Sequence, residues 1–279
     1  MRRLLSIVLM VTTVVMAFST GQITEQINDN GVDKGLTRCL LELDSVSFSK
    51  IKERIPSKPV STALWRNYIG HWTIKNDSLF LDSVLVRDKT SDNSRFVTAI
   101  IDDIYAMRRT PSGYFADWVT DTFRVVSGKV IRYQHMGWKS DWENEELVSV
   151  NGGLIKGRIV YENRLVNPAS EDEDRVRTAI DSLELGYIPK RIVLRLGYRG
   201  FDDKGTPTGY KVKVLRSCGD TIIDNKVVGA FKDSTVMRRL IPVYYIQGKY
   251  NSWERTIPIS AGRDHLDDSR SHGVAKSEE

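Results

Sequence analysis

The chain has 279 residues and a formal net charge of +5 at pH 7, and 41% of its residues are hydrophobic. This length allows one or two domains with a real core. The positive charge is small and evenly spread, so composition argues against a nucleic-acid-binding protein. With two cysteines and four histidines, and none of them at metal-ligand spacing, we expect neither a metal site nor a cofactor.

The N-terminus has the features of an export signal. Met1-Arg2-Arg3 is basic, residues 4–18 form an uncharged apolar run, and small residues at 19–21 precede Gln22. The apolar run is shorter than the roughly 20 residues that a membrane-spanning helix needs. We therefore predict a signal peptide over residues 1–21 and a location in the periplasm or cell envelope. The alternative is an uncleaved anchor reaching Ile23, and only in that case do we expect contact with a membrane.

The next segments differ in their hydrophobic pattern. Residues 22–58 are polar, and we predict a partly helical segment there. Residues 59–166 alternate between apolar and polar residues in short runs, separated by the turn signals Asn76-Asp77, Ser127-Gly128 and Asn151-Gly152-Gly153. The predicted strands are Tyr68–Lys75, Ser78–Val86, Thr122–Val126, Lys129–His135, Leu147–Val150 and Leu154–Val160. Such a β-meander indicates a small barrel or a sandwich.

This β-rich region also carries a resemblance. Its phrases NYIGHWTIKNDSLFLDSV, FADWVTDTFRVVSGK and HMGWKSDWENEELVSVNGG are similar to phrases in uncharacterised secreted proteins of the Bacteroidetes. The resemblance implies an envelope location and carries no known activity. Trp118, Trp138 and Trp142, with Tyr114 and Phe115, are predicted in loops between strands, where aromatic residues either form contact surfaces or fill the core.

The densest group of chemically capable side chains lies between His135 and Glu146. A histidine, a serine and four carboxylates fall within this stretch. Catalysis requires these groups to converge on one substrate, however, and nearness in sequence does not ensure this. The chain has no nucleophile elbow, zinc-binding helix or nucleotide-binding motif. We therefore predict a non-catalytic protein, and the alternative is a periplasmic hydrolase that uses residues 135–146.

A domain boundary is predicted at residues 167–170, where Asn167-Pro168 precedes the acidic run 171–174. Acidic residues suit the first turn of a helix, and we predict a helix over Arg175–Leu185. Further along, Arg191–Tyr198 and Tyr210–Leu215 alternate on either side of the break at residues 205–209, which is typical of a β-hairpin. A helix is predicted over Asp224–Lys232 and a last strand over Trp253–Ile259.

This order of elements carries the second resemblance. The phrases VKVLRSCGDTIIDNKVV and GKYNSWERTIPIS resemble the C-terminal domain of the TonB family. The resemblance covers about residues 175–260 and implies a ββαβ domain over residues 171–260. The expected fold class is therefore α+β, with an N-terminal β-meander followed by the TonB-like domain.

The resemblance also implies how the protein acts. In the TonB family the final strand is an edge to which an extended segment of an outer-membrane receptor adds. This implies a partner-binding role for Asn251, Ser252, Trp253, Glu254, Arg255 and Thr256. Pro258 has no N–H to donate and should end the pairing.

The expected function is therefore that of a secreted cell-envelope protein that binds another protein. That partner is a TonB-dependent outer-membrane receptor or another envelope protein. The alternative is an anchored energy transducer for outer-membrane transport, although no proline-rich spacer precedes the domain.

Two features remain. Cys39 and Cys218 allow one disulfide in an oxidising compartment, and two unpaired buried thiols are the alternative. Residues 261–279 are polar and lack periodicity, so we predict a disordered tail there.

Overall fold

Strands dominate the computed structural model of this chain, which describes residues 21–56, 61–88, 96–135, 137–169, 178, 181, 183, 185, 188–232 and 234–260. The chain divides into two compact units, Met1–Val160 (unit 1) and Tyr161–Glu279 (unit 2). This division precedes the boundary predicted at residues 167–170. The predicted signal peptide up to residue 20, the predicted tail and most of the helix predicted over Arg175–Leu185 lie outside the described residues.

Unit 1 is formed mainly by one large sheet. Its strands are β1 (Glu25–Asp29), β2 (Val32–Leu36), β3 (Tyr68–Lys75), β4 (Ser78–Arg87), β5 (Phe96–Thr98), β6 (Arg109–Thr110), β7 (Gly113–Phe115), β8 (Asp121–Arg132), β9 (Asp141–Asn151) and β10 (Leu154–Glu162). Its helices are α1 (Ser45–Lys52), α2 (Asp102–Tyr105) and two short 3-10 helices, Leu41–Leu43 and Ala106–Arg108.

The large sheet closes on itself. Its strand order is β10-β9-β8-β2-β1-β3-β4-β7-β6, and β10 also pairs with β4 through Leu154 and Ser78. The strands from β10 to β4 in this order therefore form a barrel. Buried and less buried residues alternate along β3, as expected for a strand with one face toward a core. The core of the barrel includes Ile27, Trp72 and Leu81.

Two predictions for unit 1 are corrected by the structure. The first is the turn at Ser127-Gly128, which was predicted to separate two strands. β8 instead runs unbroken through it, and its register against β9 shifts between Ser127 and Val130. Gly128 has φ +79°, so the glycine serves a β-bulge rather than a turn.

The second correction concerns residues 22–58, which contain more than the predicted helical segment. α1 is present, but β1 and β2 form a hairpin before it and belong to the barrel. Asn30 and Gly31 have φ of +52° and +86°, the backbone of a two-residue hairpin turn. β1 also pairs in parallel with β3.

Unit 2 contains two smaller sheets and two helices. Its elements are β11 (Arg164–Asn167), β12 (Ile192–Phe201), β13 (Pro207–Arg216), α3 (Thr221–Ala230), α4 (Ser234–Leu240), β14 (Val243–Ile246), β15 (Lys249–Asn251) and β16 (Arg255–Ile259). One sheet has the order β11-β14-β15 and the other the order β13-β12-β16. The predicted hairpin is β12 and β13, which pair antiparallel.

The helix predicted over Asp224–Lys232 is present as α3, but it begins earlier. Its N-cap is Asp220, whose side chain accepts hydrogen bonds from the backbone N–H of Ile222 and Ile223. The sequence placed the start of this helix at Asp224, a residue type that suits an N-cap. Asp224 lies inside the helix instead, and its carboxylate accepts from the N–H of Cys218 at 3.1 Å.

This cap gives a stability prediction. Asp220→Ala leaves two N–H groups of α3 without their side-chain acceptor, and we expect it to lower the unfolding free energy of unit 2 by about 1 kcal/mol. Urea denaturation measures the change. Asp203→Ala, at an exposed position of the β12–β13 loop, is the matched control. Equal effects of the two substitutions would contradict the assigned cap.

Among the described residues, no helix is long and apolar enough to span a membrane.

Candidate functional site

β16 forms one edge of the β13-β12-β16 sheet. It pairs antiparallel with β12 over its whole length, from Arg255 opposite Leu196 to Ile259 opposite Ile192. Within the described residues no strand pairs with the other side of β16. An edge of this kind offers backbone N–H and C=O groups to an added strand.

Pro258 indicates which backbone groups point away from β12. In an antiparallel ladder, opposite residues alternate between pairs that exchange both hydrogen bonds and pairs that exchange none. A proline on an edge strand turns its nitrogen away from the sheet, because that nitrogen has no hydrogen to donate. By alternation, Thr256 also points its N–H and C=O outward, whereas Arg255, Ile257 and Ile259 bond to β12.

The side chains of β16 alternate in the same way. Ile257 and Ile259 are buried in the core of unit 2, where they pack with Ile192 and Phe231. Thr256 and Pro258 are exposed on the opposite face of the sheet. The edge is therefore anchored on its core face and open on the other.

The six predicted binding residues are divided among two strands and the segment that connects them. Asn251 ends β15, Ser252, Trp253 and Glu254 form the connection, and Arg255 and Thr256 begin β16. The last strand therefore starts at Arg255, two residues later than the predicted Trp253. Arg255 donates from Nη1 to the carbonyl oxygen of Leu240 at 3.1 Å, which ties the start of the edge to the end of α4.

Glu254 connects this segment to the open face of the sheet. Its carboxylate lies 2.5 Å from Lys211 Nζ and 3.9 Å from Arg195 Nε. The hydrogen bond from Lys211 lowers the pKa of Glu254; desolvation opposes it, and the charges of Lys211 and Arg195 add to the lowering. A side chain at Gly197 would meet Glu254 Cγ at 3.0 Å, so Glu254 lies directly over Gly197.

Unit 1 contains a cavity of about 130 Å³, which is a second candidate site. Trp138, Trp142, Tyr133 and Ser140 contribute to its lining. Its volume is below the roughly 300 Å³ at which small-molecule sites usually begin. Of the aromatic residues predicted in loops, only Trp138 and Trp142 line this cavity, whereas Tyr114 is buried and Trp118 packs against the barrel core.

The residues of the alternative hydrolase site do not converge. His135 is exposed and packs edge-on against Tyr133, with 4.8 Å between the ring centroids. Ser140 Oγ accepts from the N–H of Gln134 at 3.0 Å. No hydrogen bond joins His135 to Ser140 in the part of the chain that the structure describes. The carboxylates are held by separate cations: Asp141 by Arg132, Glu145 by Arg124, and Glu146 by Lys34 and Arg158.

Glu25, inside the barrel, has a strongly perturbed carboxyl group. Glu25 is fully buried and accepts a hydrogen bond from Trp72 Nε1 at 2.7 Å. Arg66 Nε lies 4.0 Å from Glu25 Oε1. Burial raises the pKa of Glu25 to about 7, and the charge of Arg66 and the bond from Trp72 offset only part of that rise. The barrel interior therefore holds a group that titrates near neutral pH.

The two cysteines lie in different units. Cys39 is half-buried, Cys218 is buried, and each has a free thiol. Because each unit is described by itself, the disulfide between them stays a prediction. Burial raises the pKa of the Cys39 thiol to about 12, and the charge of Glu25 acts in the same direction.

The raised pKa predicts that the Cys39 thiol reacts slowly. In a Cys218→Ser variant at pH 8, we expect Cys39 to react with a thiol-specific disulfide reagent about a thousandfold more slowly in the folded protein than in denaturant. The reason is that only the thiolate is nucleophilic and a pKa of about 12 leaves little of it. Equal rates in the folded and denatured protein would contradict the raised pKa of Cys39.

No protein-family model matches this chain, and no curated protein or solved structure matches it either. The resemblance to the TonB C-terminal domain therefore stays a prediction. Among the described residues, no group of histidine, cysteine and carboxylate side chains could hold a metal ion.

Sequence reasoning missed two features of these sites. Glu25 was not singled out, because a lone glutamate in a polar segment gives no sign of burial until β1 is known to line the barrel. The open face beside β16 was only partly indicated, since Arg191–Tyr198 alternates apolar and basic residues. That the basic residues of β12 share this face with Lys211 and Lys213 depends on the register of β12 and β13.

Proposed function

We propose that this chain is a non-catalytic binding protein of the cell envelope that captures an extended segment of a protein partner along the outer edge of β16. The observation that carries the proposal is the one-sided pairing of β16. The strand is ordered by β12 over five residue pairs, and its other edge has no partner strand within the described residues.

The chemistry of capture is backbone hydrogen bonding. An added strand would accept from the N–H of Thr256 and donate to outward-facing carbonyl groups, while its alternate side chains meet the faces of the sheet. Pro258 limits this pairing because its nitrogen cannot donate. Edges of this kind usually carry devices that prevent uncontrolled pairing, and the proline is one of them.

The arrangement of unit 2 agrees with the TonB-like interpretation as far as its elements go. A hairpin, helices and a later strand follow one another, and that later strand pairs with the first strand of the hairpin. Unit 2 also contains β11, α4, β14 and β15, which a minimal ββαβ domain does not include. The TonB-like domain, its outer-membrane receptor partner and the periplasmic location are accordingly parts of this proposal.

The contacts of residues 135–146 favour binding over hydrolysis. Each carboxylate in that stretch that the hydrolase would need is engaged by an arginine or lysine, or is exposed. A general acid or base must reach the proton that it transfers. The edge of β16 needs no such rearrangement, since the groups that would bind already point outward.

A peptide selection tests the proposed function. Random ten-residue peptides are displayed and selected on the full chain, and each enriched peptide is then measured against Thr256→Pro and Thr256→Val. Thr256→Pro removes the outward N–H and leaves the hydrogen bonds of Arg255 and Ile257 to β12 in place. Thr256→Val keeps the N–H and changes only the side chain.

We expect the proline variant to lose binding by about tenfold, which is the effect of one backbone hydrogen bond at the upper end of its usual range. We expect the valine variant to bind within about twofold of the wild type. If no peptide is enriched, or if every enriched peptide binds the proline variant equally, β16 is not the capture edge.

A further inference from the structure

The open face of the β13-β12-β16 sheet is strongly basic. On β12, the residues that point away from the core include Arg195 and Arg199, and on β13 they include Lys211 and Lys213. All four are exposed, whereas their neighbours Leu194, Leu196, Val212 and Val214 face the core. The face is therefore a cationic surface of alternate positions on two strands.

The register places one of these cations, Arg195, next to the capture edge, whereas Lys211 and Lys213 lie on β13, which pairs with the other side of β12. Arg195 lies opposite Lys213 on one side and opposite Thr256 of β16 on the other. Two like charges directly opposite each other on a sheet face destabilise it. Nothing in the packing of the core requires cations here, because both side chains point to solvent.

The chain supplies a carboxylate to this face from Glu254. It contacts Lys211 and Arg195, and the charge of Lys213 also lowers its pKa. This carboxylate therefore interacts with three of the four cations named above. The place where a carboxylate is stabilised on this surface is thus marked by the chain itself, next to the first residue of β16.

We propose that the segment captured by β16 is acidic, with aspartate or glutamate at the alternate positions that face the open side of the sheet. This inference rests on the proposed capture along β16 and specifies the chemistry of the partner. The occupant is an extended protein segment rather than a free anion, because Arg195 lies opposite Thr256 of an edge strand and only a backbone can pair with such an edge.

The geometry of an added strand supports this assignment. Neighbouring strands lie about 4.8 Å apart, and every second side chain points to the same face. Acidic residues on the added strand would therefore lie beside Thr256 and Pro258, whose side chains are short. The long side chain of Arg195 can extend across Thr256 toward them, with Lys213 behind it. Complementary charge of this kind sets specificity and association rate.

The composition of the selected peptides tests the inference separately from the proposed function. Peptides that bind the wild type and fail on Thr256→Pro are sequenced, and each is remade with glutamine in place of every acidic residue. Binding is then measured on the wild type and on Arg195→Glu. Lys226→Glu is the matched control, since Lys226 is exposed on α3, on the core side of the sheet.

We expect acidic residues to be enriched at every second position of the edge-dependent peptides. Arg195→Glu should weaken their binding about fivefold or more, and the loss of each acidic residue to glutamine should cost up to about fivefold, as for exposed ion pairs. Lys226→Glu should have no effect.

Edge-dependent peptides without acidic enrichment, or with binding that is unchanged by Arg195→Glu, would overturn the acidic partner and leave capture by β16 standing. The absence of any edge-dependent peptide would overturn both proposals.

Discussion

Unit 1 is expected to lose stability as the pH rises from about 4 to about 8, by about 3 kcal/mol through Glu25 alone. The pKa of Glu25 is about 7 in the folded protein and 4.5 in the unfolded chain. A carboxyl group whose pKa is raised by folding stabilises the folded state most while both states are protonated. That contribution declines above the unfolded pKa and is lost once the pH exceeds the folded pKa.

Glu25→Gln isolates this effect, because glutamine has nearly the shape of the protonated glutamate and does not titrate. The carboxylates of Asp29 and Asp44 have lowered pKa values and act in the opposite sense, but both proteins contain them. The difference between the two pH profiles of unfolding free energy should therefore show the loss of about 3 kcal/mol.

The measurement can be restricted to unit 1. Of the six tryptophans, only Trp253 lies in unit 2, so Trp253→Phe leaves tryptophan fluorescence as a signal from unit 1. The protein with Glu25 and the Glu25→Gln variant are compared in this background by urea denaturation at each pH. Parallel pH profiles for the two proteins would contradict the buried, titrating carboxyl group.

Gly70→Ala is expected to destabilise unit 1 by about 1–3 kcal/mol, the usual cost of overpacking a core. A Cβ at position 70 would lie 2.6 Å from Trp72 Nε1 and 2.7 Å from Glu25 Oε2. Both atoms take part in the buried hydrogen bond, so the methyl group cannot be accommodated without moving Trp72 or Glu25.

Gly157→Ala is the matched control. Gly157 also lies in a strand, β10, and a Cβ there would meet nothing within 4 Å. Replacing an unconstrained glycine with alanine usually stabilises a protein slightly, by reducing the freedom of the unfolded chain. We expect thermal unfolding at a lower temperature for Gly70→Ala and no decrease for Gly157→Ala. Similar effects of the two substitutions would contradict the close packing around Gly70.

The sequence predicted well those elements whose turns and alternation agree. β3 runs from Tyr68 to Lys75 as predicted, and Asn76 and Asp77 have φ of +50° and +54°, as an Asn-Asp hairpin turn requires. The β12–β13 hairpin was likewise predicted from two alternating runs and the break between them. In these segments local pattern and tertiary structure require the same conformation.

Other elements could not be read from local pattern. β1 and β2 have polar sequences, EQIND and VDKGL. The inward positions of β1 include Glu25 and Asp29, which find partners only in the folded barrel. Asn30-Gly31 was nevertheless a strong hairpin signal that the polar composition obscured. At Ser127-Gly128 the sequence predicted a turn that is absent, since a glycine with positive φ suits a bulge as well as a turn.

The sequence predicted that an edge strand lies near the C-terminus, but it did not predict where that strand begins or which side chains lie beside it. Pro258 and the final apolar alternation placed an edge strand near the C-terminus, and β16 lies there. The start of β16 at Arg255 and the position of Glu254 over Gly197 depend on the register with β12, which no single segment encodes. The basic row on the open face likewise appears only when two strands are paired.

Amide hydrogen exchange at Thr256 tests capture by β16 most directly. In the free protein we expect the Thr256 amide to exchange faster than that of Ile257, because only Ile257 bonds to β12. Addition of a selected edge-dependent peptide should slow exchange at Thr256 and leave Ile257 little changed. Saturating peptide that binds the chain without slowing exchange at Thr256 would show that the partner does not add to this strand.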